Sequence, residues 1–270
     1  MALRYKIRNA VFAVLDASDT VMGRKGPLMP PRRLMNVGSN SMFRNDFTAI
    51  GDKLLGNLVD FGGLRADDRV LDVGCGVGRL AIAMTRYLTT GSYDGFDIVK
   101  ESIDHCERAI TPRHPNFRFK HADIYNSNYN RQGTIQPRDF RFPYSDGAFT
   151  FVLLTSVFTH MQRAEVEQYL AEISRVLAPG GQVFATYFLL NPASMAAMEA
   201  GTSRQAFAYP ADKGRVEIQH DPDAAIAFEE TYLTGLYAAT AFRIAKVQHG
   251  SWSGQNSDAG YQDIVVAVKG

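Results

Sequence analysis

The chain has 270 residues, 46% of them hydrophobic and 21% charged, which suits one α/β core with additions rather than two full domains. Its 29 basic and 28 acidic residues leave a net charge of +1, so no whole-protein field draws it to nucleic acid, although a local patch stays open. Cys75 and Cys106 are the only cysteines; they form neither a disulfide framework nor a close-spaced zinc pattern, and a reducing cytoplasm is the expected setting.

The opening MALRYKIRNAVFAVLD reads as a mature amphipathic helix rather than a signal peptide. Basic residues alternate with apolar ones, Asp16 and Asp19 follow directly, and no small-residue cleavage site stands out. No apolar run approaches the roughly 20 residues of a membrane span, so stable insertion is not expected. Arg4, Lys6 and Arg8 beside Leu3, Ile7 and Phe12 suit a cap over a ligand cleft, pairing with a second subunit as a homodimer, or contact with an anionic membrane; the cap is preferred. Gly23, Gly26, Pro27, Pro30, Pro31, Gly38 and Ser39 make residues 23–40 a loop or hinge. Phe47, Ile50, Leu54, Leu55 and Leu58 then recur at helical spacing, ended by Gly62 and Gly63. Residues 1–64 are thus expected to be an N-terminal helical cap, and residues 65–270 the main domain.

From Arg69 the pattern alternates between strand and helix. Strands are predicted at 69–73, 93–97, 117–121, 148–155, 181–188, 241–248 and 261–268, with helices at 78–89, 99–110, 163–177 and 224–240. Such alternation implies a mostly parallel sheet covered on both faces. The last two strands have no crossover helix between them, which leaves one free to run antiparallel. Residues 125–146 and 189–223 are too long for simple connections and are predicted to be lids or binding elements at the carboxyl edge of the sheet.

The first strand runs into VLDVGCGVGRL, a G-x-G-x-G turn preceded by Asp72. It differs from the G-x-G-x-x-G of dinucleotide sites, and no Lys-Ser or Lys-Thr follows to make a phosphate loop. Glycines serving only packing are the plainer alternative. The second strand ends YDGFDI and puts Asp97 about twenty residues past the loop, where an acid can accept both ribose hydroxyls. The third ends FKHADIYN and puts Asp123 at the same edge.

Together VLDVGCGVGRL, YDGFDI, HADIY, FRFPYSDGAFTFVLLTSVFTHM and EISRVLAPGGQVFATYF resemble the successive motifs of class I S-adenosylmethionine-dependent methyltransferases, in order over residues 69–188. GSWSGQNSDAGYQDIVVAVKG and the FTHM segment resemble a bacterial branch with some members suspected to act on sugars. The resemblance implies a Rossmann-like, doubly wound, seven-stranded, mostly parallel sheet with an N-terminal helical cap and inserted lid segments. It implies S-adenosyl-L-methionine as cofactor. Asp72, Gly74, Gly76 and Gly78 would line its methionine portion, and Asp97 and Ile98 would hold ribose and one adenine face. Ala122, Asp123 and Ile124 would complete the adenine pocket, and carbonyls near Leu154 and Thr155 would receive the ammonium. A ligand with an ammonium, a carboxylate and a sulfonium suits backbone groups and acids rather than a phosphate nest.

Methyl transfer is an in-line displacement in which the protein mainly aligns the reactants, and an alcohol acceptor also needs a general base. His160, just after the fourth strand, is the candidate; His249 and His220 are weaker ones. Asp146, Asp221, Asp223 and Glu229 are the carboxylates a metal site would draw on, but they do not cluster near the fourth strand and no metal is expected. Tyr125, Tyr129, Phe140, Phe142, Tyr144, Phe207, Tyr209, Trp252 and Tyr261, mixed with Asn126, Asn128, Asn130, Gln132 and Gln136, suit a small polar acceptor such as a sugar or glycan. Rings pinning loops to the core are an equal reading. Two other functions stay open: a cofactor-binding module without catalysis, and nucleic-acid methylation. TSVF stands where an Asn-Pro-Pro-Tyr-type tetrapeptide would serve base methylation, which weighs against the latter.

Overall fold

The computed structural model describes residues 2–23, 25–35, 47–257 and 260–270, and the side chains among them from residue 7 onward. Gly38 and Ser39 of the expected hinge, and the side chains of Arg4 and Lys6, lie outside the described residues. Helix α1 (Ala2–Val21) leads to a 3-10 turn (Arg32–Leu34) and to α2 (Phe47–Asp60). Then β1 (Arg69–Val73), α3 (Arg79–Met84), β2 (Ser92–Asp97), α4 (Lys100–Ala109) and β3 (Phe117–His121) alternate as expected. They are followed by β4 (Phe149–Leu154), α5 (Arg163–Val176) and β5 (Leu177–Tyr187).

The main sheet has seven strands in the order β10-β11-β5-β4-β1-β2-β3, where β10 is Phe242–Gln248 and β11 is Asp263–Lys269. Strands β1 to β5 are parallel, and β11 is antiparallel to both β5 and β10. Continuous apolar runs such as FTFVLL in β4 follow from burial on both faces. One face is covered by α5, whose Val166, Tyr169, Leu170, Ile173 and Val176 recur at helical spacing and are buried. Gln162 and Glu165 form a capping box at its start. On the other face α2 packs tightly on α3; a side chain at Gly51 would come within 2.8 Å of the Arg79 carbonyl oxygen.

Three expectations are corrected. The helix predicted at 224–240 begins only at Glu230, as α7 (Glu230–Ala239), because Ile226–Glu229 is a strand, β9. A short apolar run such as AIAF fits either period, and pairing with neighbours decided it. Residues 178–180, left between the predicted helix and the predicted strand at 181–188, lie inside β5 as a bulge: pairing steps from Leu177 to Gln182 on β5 while β4 advances from Phe149 to Phe151. The third concerns residues 189–223, which are not an open lid. They contain β6 (Leu189–Leu190), α6 (Pro192–Glu199), β7 (Tyr209–Ala211) and β8 (Gly214–Val216), and with β9 they build a second sheet in the order β6-β9-β8-β7. Phe188, Leu190, Phe207, Ala225, Ala227 and Trp252 form a small core on one side of it, while its Leu189, Val216, Ile226 and Phe228 join the main core.

Candidate active site

The strand order turns back between β1 and β4, and at such switch points the carboxyl ends open a crevice. A cavity of about 330 Å³ lies there, lined by residues from both strand ends, the two loops beyond them, α2 and the first insertion. That falls within the roughly 300–1,000 Å³ typical of small-ligand sites.

The glycine loop makes one wall. Gly76 has a φ of +55° and nothing within 4 Å of where a side chain would begin, so the loop presents bare backbone to the cavity. Its amide donates to Asp97 Oδ2 at 2.8 Å, and the Val99 amide donates to Asp97 Oδ1 at 2.8 Å. Each oxygen keeps a lone pair for another donor. Burial raises the Asp97 pKa, and these two amides oppose the shift. Gly74 also lines the cavity, but Gly78 does not. A side chain at Gly78 would come within 2.9 Å of Cys106 Sγ and Ile110 Cδ1, so it serves the packing of α3 on α4.

Two ionisable side chains on this wall each keep one buried atom without a partner. Asp72 is 2% exposed; its Oδ2 accepts from the Tyr93 hydroxyl at 2.6 Å, while its buried Oδ1 has no partner within the protein. Burial raises its pKa from 3.8 to about 7. Arg79, the residue after the G-x-G-x-G turn, also lines the cavity and has a buried, unpartnered Nη1. An orphaned carboxylate oxygen beside an orphaned guanidinium nitrogen costs stability unless a ligand completes both, and an amino-acid zwitterion does so. Arg79 was overlooked in the sequence, although its place beside the loop was a usable signal.

The adenine-side residues divide. Ile98 and Ile124 line the cavity. Ala122 is 5% exposed and belongs to the core, and Asp123 turns into the insertion, where Thr134 Oγ1 donates to its Oδ2 at 2.7 Å. Neither reaches the cavity. Leu154 is fully buried and Thr155 lines the cavity. The next residue, Ser156, also lines it and has a φ of +58°, a strained conformation for a residue with a side chain; its amide donates to Thr186 Oγ1 and its hydroxyl to Gln262 Oε1.

His160 lies in a 3-10 turn (Phe158–His160) and lines the same cavity as the glycine loop. Its Nδ1 lies 3.0 Å from the Asp223 carbonyl oxygen. A carbonyl only accepts, so Nδ1 carries the proton and the neutral ring keeps its lone pair on Nε2. The Tyr129 ring meets it edge-on at 6.4 Å. Asp223 also binds the surroundings: Ser127 Oγ donates to its Oδ2 at 3.1 Å and Gln162 Nε2 to its Oδ1 at 3.3 Å. From its residue type Asp223 reads only as a possible metal ligand, since nothing local ties it to His160.

The other candidates lie elsewhere. His249 Nε2 is 3.1 Å from Glu230 Oε2, in a separate depression against the second sheet, and His220 is exposed. Asp146 pairs with Arg175. Among the described residues, no three His, Cys, Asp or Glu side chains gather as a metal site. Of the rings, Phe140 and Phe142 pack on Phe96 and Tyr169, and Phe207 packs on Trp252. Tyr125 and Tyr129 line the cavity. The amides of Asn126 and Asn130 hold the loop's own backbone.

Residues 70–181 match the methyltransferase domain family. The chain carries a class I S-adenosylmethionine-dependent methyltransferase domain. S-adenosylmethionine is the cofactor of that domain. An uncharacterized methyltransferase of Schizosaccharomyces pombe is 31% identical over 120 residues, 44% of this chain and 40% of the relative. The 27-O-demethylrifamycin SV methyltransferase of Amycolatopsis mediterranei is 31% identical over 158 residues, 58% of this chain and 50% of the relative. The chain thus spans half or less of the length of these relatives. Magnesium protoporphyrin IX methyltransferase of Synechocystis PCC 6803, solved with bound S-adenosylhomocysteine, shares the fold at a TM-score of 0.54 and 15% identity, over 88% of this chain and 92% of its own.

Proposed function

We propose that the protein transfers a methyl group from S-adenosylmethionine to a hydroxyl of a small polar acceptor, with His160 as general base. The observation that carries this reading is that the Asp72 and Arg79 orphans and the His160 lone pair line one cavity. In this reading Asp72 Oδ1 receives the cofactor's ammonium, Arg79 its carboxylate, and Asp97 the ribose hydroxyls. The bound cofactor supplies a methyl carbon whose bond to sulfur breaks with the electron pair left on sulfur. The chain's own part is to hold the acceptor hydroxyl in line and take its proton. As the oxygen attacks, that proton passes to His160 Nε2, worth about 10²–10⁴ in rate.

Oxygen as the methylated atom is supported by the base and by the 27-O-methyltransferase relative. A sugar or glycan acceptor rests on Tyr125, Tyr129 and Asn126, which line the cavity. Calorimetry with S-adenosylmethionine and S-adenosylhomocysteine is the first test. Both bind the wild type, and Asp97→Ala abolishes binding; near-native affinity in that variant contradicts the ribose assignment. A screen of hydroxylated acceptors then gives turnover that falls about 100-fold or more in His160→Ala with cofactor affinity kept. Turnover persisting in that variant places the base elsewhere.

A further inference from the structure

Helix α1 shows its apolar side to solvent. Ile7, Val11, Val14 and Val21 are 56%, 39%, 70% and 89% exposed, and their spacing puts them on one face. None of its described side chains is buried. The polar side does the holding: Arg32 reaches Asp16 and Asp19, and Lys25 lies 3.6 Å from Asp16. A helix fastened by its acids with its valines outward is the reverse of a cap. No described residue of α1 lines the cavity, where the N-terminal segment contributes Leu34, Phe47 and Leu54.

Charge points to what covers the face. Residues 1–35 hold seven Lys and Arg against two Asp, while the remainder of the chain holds 22 basic and 26 acidic residues. The near-neutral total therefore hides a cationic segment on an anionic body. Arg33 also pairs with Glu101 of the body, yet the segment keeps an excess of positive charge. Two copies of α1 meeting face to face would bring that like charge together, whereas an anionic bilayer accommodates the valines and the excess charge at once. We propose that α1 docks the protein on an anionic membrane surface, lying in the interface without crossing it. Among the described residues, no helix is long and apolar enough to span a membrane.

The docked helix sits beside the cavity. Arg32 ties it down, and Leu34 in the same turn lines the cavity wall. A bilayer-borne acceptor thus has a short path to His160. The docking stands without the methyltransferase reading; delivery of the acceptor from the bilayer rests on it.

The test is co-sedimentation of the full chain, without cofactor, with phosphatidylglycerol vesicles and with phosphatidylcholine vesicles. The expected result is at least about tenfold stronger binding to phosphatidylglycerol, weakening as salt screens the charge. The double variant Val11→Asp/Val14→Asp loses about tenfold or more of that binding, with an unchanged melting temperature because both side chains are exposed. Equal binding to the two vesicles, absence of salt dependence, or full binding by the variant overturns the proposal. So does a wild-type dimer in sedimentation equilibrium that the variant dissolves while vesicles bind neither protein, since a second copy then covers the face. Cofactor calorimetry on the same preparation reports separately on the methyltransferase reading.

Discussion

Residues 125–146 and 189–223 both follow strands of the main sheet at its carboxyl edge and read alike as long insertions, yet they fold to different ends. The first is held largely by its own amides and backbone: Asn126 Oδ1 accepts from the amides of Asn128 and Tyr129, and Asn130 Nδ2 donates to the Ile124 carbonyl. That leaves Tyr125 and Tyr129 facing the cavity. The second folds into a sheet that buries Phe207 against Trp252 in a small core on one side and Val216 in the main core on the other. It reaches the site through its closing stretch, Asp221–Asp223. The contrast teaches that length marks an insertion as special, while buried apolar side chains decide whether it lines a site or becomes a small folded unit.

The largest expected effect separates these two units. Trp252 is 1% exposed, packs on Phe188 and Phe207, and donates to Asp263 Oδ2 at 2.7 Å. Trp252→Ala is expected to cost about 3–5 kcal/mol in denaturant unfolding, with S-adenosylmethionine affinity kept under native conditions. An equal loss of affinity would show that the second unit supports the cofactor wall, and the contrast would fail.

At the sheet edge between them, Asp72 ties stability to pH. Burial raises its pKa from 3.8 to about 7, so the folded carboxyl keeps a proton that the unfolded chain releases. Its contribution to stability is full below about pH 4 and declines as pH rises to about 7, by roughly 4 kcal/mol at most. Asp72→Asn is therefore expected to melt higher than wild type at pH 8 and to lose most of the gap at pH 4. If Asp72 receives the ammonium as proposed, binding needs its ionised form, and wild-type affinity is expected to fall about tenfold per pH unit below 7, read by calorimetry. A flat profile would mean that Asp72 does not receive the ammonium.

The smallest effect tests the link between the insertions. Asp223→Ala keeps the carbonyl that His160 meets but removes the acceptor for Ser127 and Gln162. Turnover is expected to fall about five- to tenfold with cofactor affinity unchanged, and amides of residues 125–131 to exchange faster. Unchanged exchange would mean that the first insertion stands alone.

The strand–helix rhythm from Arg69 to Tyr187 was legible because each element carries its own period and punctuation, and the glycine loop with Asp97 follows from that register. Arg79 was legible in place but not in role, since only the structure shows its Nη1 buried without a partner. Asp123 misled because an acid at a strand end reads the same whether it meets a ligand or, as here, Thr134. Strand β9 was read as helix because four apolar residues carry too little period to choose.

By itself the sequence determined the parallel core, its ligand edge and the kind of ligand, all of which depend on patterns within a few residues of chain. Tertiary structure alone decided that Asp223 orients His160 from 63 residues away, that the second insertion is a folded unit, and that α1 turns its valines outward. Those outcomes depend on which distant surfaces meet, and burial and hydrogen-bond satisfaction between distant segments are properties of the packed chain rather than of any stretch of it.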